Sequence, residues 1–265
     1  MISSSYIVAN IVALGLTALV IHGFLSFQTV GEALGFYGVY HRNPINQLIH
    51  FFGVPCIIWS LTVFLVHVKI PFIHVSIRIP GTKLHLLNYG TLLSVLYILF
   101  YIHLDKIGGC LYVPLQILYY ITAVNARDKD QNQMHQTKGK KSVQQLKSFS
   151  SWSGTGGLLK RAGILHFLGW YVQIHPGHGI FEGAKPAVLS SVGGALTSAP
   201  LFAFYEGLWF IGVNKQLQEE TKVLVDKYTK EMCLAGSQMR VCSKSLHGMK
   251  EDLLFELMDL TGYGL

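Results

Sequence analysis

The chain has 265 residues, of which 51% are hydrophobic and only 13% charged, with a formal net charge of +7 and a mean hydropathy of +0.39. That charge content is well below the roughly 25% of an ordinary globular domain, and the apolar content excludes a disordered chain. The composition is that of a polytopic membrane protein.

In chain order, apolar windows of about 20 residues, the length a helix needs to cross the hydrocarbon core, fall at Tyr6–Phe27, Leu48–Val68, Leu84–Leu104 and Gly193–Val213, with a shorter one at Cys110–Ala126. Lipid leaves no other way to satisfy the backbone in the absence of a barrel pattern. The expected fold is therefore all-α, a polytopic helical membrane protein with broken or re-entrant segments near its site, and no strands. Residues 1–33 read as an N-terminal anchor helix, 34–213 as a membrane-embedded catalytic core and 214–265 as a polar, solvated tail. The anchor is preferred to a cleaved signal because no positive segment precedes it.

Asn43-Pro44 is a helix start, with Asn as N-cap and Pro at the first helical position. His41 then lies just before the helix and His50 two turns inside it. A regular helix would put them on opposite faces, but the break at Pro44 frees His41 from that geometry. Gly53-Val54-Pro55 is a candidate break of the second window. Cys56, Cys110, Cys233 and Cys242 have no metal spacing and suggest no disulfide scaffold.

Residues 127–161 hold eight Lys/Arg against Asp128 and Asp130, in a Gln-, Ser- and Gly-rich context. This reads as a disordered basic loop on the cytosolic side. Without an aromatic platform or a recognisable fold it gives no reason to expect nucleic acid as a partner. Ala162–Ile174 is too short to span and reads as interfacial or re-entrant, ended by Pro176-Gly177. His178 and Glu182 follow, one helical turn apart and facing the same way, an arrangement suited to a metal. A plain surface His–Glu pair accounts for the spacing equally well. His166 and His175 are close enough to be second-tier ligands. Glu206, inside the last window, must be protonated, paired or cavity-facing.

Two ordered motifs carry a resemblance. The first is Leu34-Gly35-Phe36-Tyr37, Tyr40-His41-Arg42-Asn43-Pro44-Ile45-Asn46 and Leu48-Ile49-His50 before Val54-Pro55. The second is Gly169-Trp170, Gln173, Gly177-His178-Gly179, Phe181-Glu182, Lys185-Pro186-Ala187 and Ala199-Pro200 with Glu206. Together they are similar to the 2-hydroxy fatty acid dioxygenase family of yeast fatty acid α-oxidation. The resemblance covers roughly residues 34–213. It implies an endoplasmic reticulum membrane enzyme that uses Fe(II) and molecular oxygen to shorten a 2-hydroxy fatty acid by one carbon, within phytosphingosine breakdown. By position it implies His41, His50, His178 and Glu182 at the metal. Arg42 and Lys185, beside the two motifs, are candidates to hold the substrate carboxylate. Here Ser190-Ser191 stand where the family has Asp-Asn.

Two other readings compete. A di-iron hydroxylase needs several HxxxH and HxxHH boxes, and only His175/His178 come near one. A non-enzymatic transporter or scaffold explains the helices but not two ordered motifs.

The two motifs also pose a topological conflict. If every window between them spans, His41 and His178 lie on opposite surfaces about 30 Å apart. A shared site requires that one segment fails to cross or that the ligands meet inside. The expectation is one cavity, open toward the cytosol, with Leu48–Val68 or Ala162–Ile174 not spanning.

Overall fold

The computed structural model describes residues 4–78, 85–140, 157–236 and Cys242. Eight α-helices carry the described fold: α1 (Ser4–Leu25), α2 (Val30–Gly38), α3 (Pro44–Leu65), α4 (Tyr89–Leu104), α5 (Lys106–Lys140), α6 (Gly157–Val172), α7 (Val192–Phe210) and α8 (Lys215–Leu234). The chain is an all-α helical membrane protein. Three helices are long and apolar enough to cross a bilayer, namely α1, α3 and the Lys106–Gln133 part of α5, while α4 is apolar but shorter.

The window at Leu84–Leu104 loses its first residues to a feature the sequence reading excluded. Ser76–Ile77 (β1) and His85–Leu86 (β2) pair antiparallel, two residues each, and Asn88 then caps α4 through the Thr91 amide. A ladder this short is a pinched loop and leaves the all-α class intact.

Helix starts follow the sequence closely. Thr29 and Glu32 form a reciprocal capping box at α2, and Asn43 accepts from the Ile45 and Asn46 amides with Pro44 opening α3. Each such cap is worth about 1 kcal/mol. α3 then runs unbroken through Pro55 for 22 residues, so the candidate break at Gly53-Val54-Pro55 does not occur.

α1 exposes Ile7, Ile11 and Leu14 outward and buries Ala13, Thr17 and Val20. It meets α7 at Gly23 and Gly193, where a Cβ on Gly23 would fall 2.6 Å from the Gly193 carbonyl carbon. Small residues of this kind let helix backbones approach where lipid supplies no hydrophobic drive. α4 is tied to α7 by Tyr97 and Tyr101, whose hydroxyls donate to the Leu196 and Thr197 carbonyls at 2.7 Å.

Four further expectations need correction. α5 continues as helix to Lys140, where the sequence reading begins a disordered loop at Arg127. Arg127 is buried, donates to the Val66 carbonyl at 2.9 Å and pairs with Asp128. Asp130 accepts from the Leu158 amide, so the two charges are held between helices rather than solvated. The remainder of that loop, 141–156, lies outside the described residues.

The tail is not a detached appendage either. α8 packs on α2 and buries Leu217, Thr221, Thr229 and Cys233. Its Cys233 is joined to Cys242 by a disulfide, against the expectation of none; the two cysteines are nine residues apart, a spacing that marks no disulfide framework by itself.

Pro176-Gly177, finally, does not end a helix. α6 passes directly into a π-helical segment, Gln173–Glu182. A proline ring collides with the carbonyl four residues back in an α-helix, and the wider π turn relieves that contact. Such segments are frequent at functional sites.

Candidate metal centre

The end of α2, the start of α3 and the π segment converge. Tyr40 and His41 close a turn onto the Tyr37 and Gly38 carbonyls, which folds the His41 ring back over α2. Its ring stacks on Tyr37 with centroids 3.9 Å apart and planes 13° from parallel. His50 arrives from two turns into α3 and His178 from the π segment. Ring centroids are 4.2 Å apart for His41–His50, 4.8 Å for His41–His178 and 4.9 Å for His50–His178. One nitrogen from each lies within 4.8 Å of the other two, and all three residues are buried. The two motifs thus meet inside the bundle, which removes the conflict of opposite surfaces.

The hydrogen bonds fix which nitrogens are free. His41 Nδ1 lies 2.8 Å from the Tyr37 carbonyl and His50 Nδ1 lies 2.9 Å from the Asn46 carbonyl. A carbonyl only accepts, so both Nδ1 atoms carry the proton and both Nε2 atoms present a lone pair. That is the usual way a ligating imidazole is locked in its tautomer. His41 Nε2 and His178 Nδ1 are buried without a partner. Orphaned imidazole nitrogens facing one another are a poor structural arrangement and a good metal site, so the residues fit a divalent transition metal.

Burial also holds these rings neutral. It pushes His178 down from the ordinary 6.5 to about 4, and it holds His41 well below the usual imidazole range, with His50 and His178 adding to the effect. Neutral imidazole is the form that binds metal. For the metal-free protein the sign follows. The unfolded chain binds more protons than the folded one between about pH 6.5 and about pH 4, so stability is complete above that window and falls as pH drops through it. Thermal unfolding of the chelator-treated protein in detergent should show a midpoint that declines through this interval. A flat profile would mean that the rings are not held neutral by burial.

Glu182 lies on the same side of the π segment but is otherwise engaged. Its carboxylate accepts from the Arg42 and Asn43 amides and from Asn46 Nδ2, all at 3.0 Å. It therefore acts as an anion at the start of α3, where orphan amides and the helix dipole favour negative charge. It is not among the residues of the histidine group. Gly177 permits the close approach, since a Cβ there would sit 2.5 Å from Asn46 Oδ1.

The remaining candidates separate. Arg42 lines a cavity of about 880 Å³ together with His41, Phe202 and Glu206. Its guanidinium donates to Thr229 at 3.1 Å and pairs with Asp226 at 2.9 Å. Lys185 is exposed and is not among the residues lining that cavity. His166 is satisfied by the Ser60 hydroxyl and the Trp170 indole. His175 is exposed and stacks on Tyr171. Neither joins the group. The sequence reading missed the ring support from Tyr37 and Phe202 and the part α8 plays as a cavity wall. The aromatic positions are visible only as a face of α2 and α7, and α8 gives no local sign of its partner.

Comparisons with known proteins point to one family. The model of the family described as 2-hydroxy-palmitic acid dioxygenase Mpo1-like matches residues 27–208. The 2-hydroxy-palmitic acid dioxygenase MPO1 of Saccharomyces cerevisiae is 29% identical over 185 residues, 70% of this chain and 83% of that relative. No solved structure matches.

Proposed function

The chain belongs to the 2-hydroxy-palmitic acid dioxygenase Mpo1-like family, and from that premise we propose that it is an Fe(II)-dependent dioxygenase that shortens 2-hydroxy fatty acids by one carbon. We assign it to the endoplasmic reticulum membrane and to fatty acid α-oxidation in phytosphingosine breakdown. The observation that carries the reading is the buried group of three histidines, with His41 Nε2 and His178 Nδ1 unpartnered and His41 on the wall of a large cavity.

His41, His50 and His178 are the proposed ligands. Imidazole suits zinc, copper, iron and nickel; zinc has no redox chemistry, and of the redox-active metals we assign iron, as the family resemblance implies. Bound there, the metal would activate dioxygen and orient the acid. Glu182 holds the start of α3 and so positions His41 and His50. Arg42, adjacent to His41 and retaining N–H groups beyond those given to Thr229 and Asp226, is our choice for the substrate carboxylate in preference to Lys185. Leu48, Phe52 and Phe210 line the cavity and are exposed, a lipid-facing mouth through which an acyl chain can enter from the bilayer. Behind His50 and His178 a separate, mostly apolar void of about 40 Å³ has room for a small apolar gas.

The overall reaction balances without a co-substrate. Cleavage of C1–C2 oxidises C2 from alcohol to carboxylic acid and C1 from carboxylic acid to carbon dioxide. The four electrons released reduce one dioxygen, so that the products are the shortened acid, carbon dioxide and water. Membranes containing the protein should therefore convert 2-hydroxypalmitate to pentadecanoic acid with Fe(II) and oxygen and no added 2-oxoglutarate. A strict requirement for 2-oxoglutarate would refute the proposed chemistry. A scaffold or transporter would form no product at all.

A further inference from the structure

Besides His41 Nε2, four buried side-chain atoms without a hydrogen-bond partner belong to residues lining the same large cavity: both carboxyl oxygens of Glu206, the Trp209 indole nitrogen and the Thr221 hydroxyl. Thr221 is only 3% exposed. Each such group costs about 1–3 kcal/mol when left unsatisfied, and a cluster of them on one cavity wall calls for a ligand. The cations of that wall pair elsewhere than with Glu206, Arg42 with Asp226 at 2.9 Å and Lys222 with Glu219 at 2.7 Å. Glu206 forms no ion pair among the described residues.

The donor inventory selects the ligand. An indole N–H only donates, a hydroxyl does either, and the carbonyl oxygen of a carboxyl accepts in either protonation state. A bound carboxylate would satisfy Trp209 and Thr221, but Glu206 only while its own carboxyl carries a proton to donate. A hydroxyl, which donates and accepts, satisfies both kinds of partner. Position agrees with this. Phe202, Glu206 and Trp209 share one face of α7, and the Phe202 ring lies 5.8 Å from His41. Glu206 therefore stands about one helical turn, roughly 6 Å of rise, from the residue that abuts the histidine group. His41, Arg42 and Glu206 line one cavity, so an acid whose carboxylate is held by Arg42 can present its 2-substituent to Glu206.

We propose that Glu206, with Trp209 and Thr221, is the subsite that recognises the 2-hydroxyl group and selects hydroxylated over plain fatty acids, Glu206 accepting the hydroxyl proton in a hydrogen bond. The inference rests on the 2-hydroxy acid reading given above. A site built around a substrate hydroxyl rejects the analogue lacking it, because its own polar groups then stay unpaired.

Equilibrium binding to the full-length, detergent-purified protein, loaded with Fe(II) under nitrogen so that no turnover occurs, tests this with 2-hydroxypalmitate and palmitate. The wild type should prefer the hydroxy acid by at least about ten-fold. Glu206→Leu should bring the ratio close to one with palmitate bound no more weakly, and Glu206→Gln, which keeps an acceptor oxygen, should retain most of it. Thr221→Val, a milder change in shape, should lower the ratio by about three-fold and carries the test if Glu206→Leu does not fold. An unchanged ratio in Glu206→Leu, or an equal loss of affinity for both acids, overturns the subsite. A wild type that binds both acids alike overturns it while leaving the dioxygenase reading standing. A wild type that binds neither overturns that reading and this inference together.

Discussion

Purified His178→Ala protein should contain no iron and form no product, while its metal-free form unfolds at the same temperature as the metal-free wild type or higher. The expected loss of turnover exceeds about 100-fold, because partners that only orient a ligand already cost 10–100-fold. The stability half of the expectation comes from His178 itself. Its Nδ1 is buried without a partner, so alanine removes an unsatisfied polar atom along with the ring. What disappears is the stabilisation conferred by metal, which scales with the free metal concentration over its Kd. His41→Ala and His50→Ala should also lose metal, but each leaves a backbone carbonyl, of Tyr37 or Asn46, without its donor. These two should be measurably less stable in the metal-free form. His74 is exposed and outside the group, and His74→Ala should be silent. Full iron content in His178→Ala would remove His178 from the centre.

Glu182 should behave differently, and the difference separates a ligand from a residue that holds ligands in place. Its carboxylate satisfies two backbone amides and one side-chain amide at the start of α3. Hydrogen bonds to a charged acceptor are worth about 1.5–3 kcal/mol each when buried, and this carboxylate is partly exposed. Glu182→Ala should therefore destabilise the protein by about 2–4 kcal/mol in total, visible as a lowered unfolding midpoint with or without metal. Because the same amides fix the chain between His41 and His50, metal affinity should fall by about 10–100-fold without vanishing. Glu182→Gln keeps one acceptor and should fall between. Complete loss of iron at unchanged stability would instead make Glu182 a ligand.

Much of this site is legible in the sequence because its determinants are local. Asn43-Pro44 announces a helix start, and that start places His50 two turns in while leaving His41 outside the helix. The separation of the two motifs in the chain is also plain. What cannot be read is how the second motif reaches the first. Pro176-Gly177 carries every sign of a helix terminus, and only contact with α3 shows that the chain continues as a π-helix with His178 turned inward. The same holds for Glu182, whose spacing from His178 suits chelation, whereas its partners are 136–140 residues away.

Long-range packing accounts for the other differences. Arg127 looks solvated until the Val66 carbonyl is found beside it. The Gln216–Glu231 stretch looks like a polar tail until α2 covers it and Thr221 turns into a cavity. Neither signal is present in any short window. The all-α membrane class, by contrast, follows from apolar length alone, even though fewer helices meet the length for crossing than windows were counted.

The central claim is that the three-histidine centre uses dioxygen to break the C1–C2 bond of a 2-hydroxy acid. Its most direct test is oxygen consumption by the purified, iron-loaded protein, measured alongside pentadecanoic acid formed from 2-hydroxypalmitate. One dioxygen consumed per acid formed, with product abolished under nitrogen, is the predicted result. Equal product in the presence and absence of oxygen would contradict it.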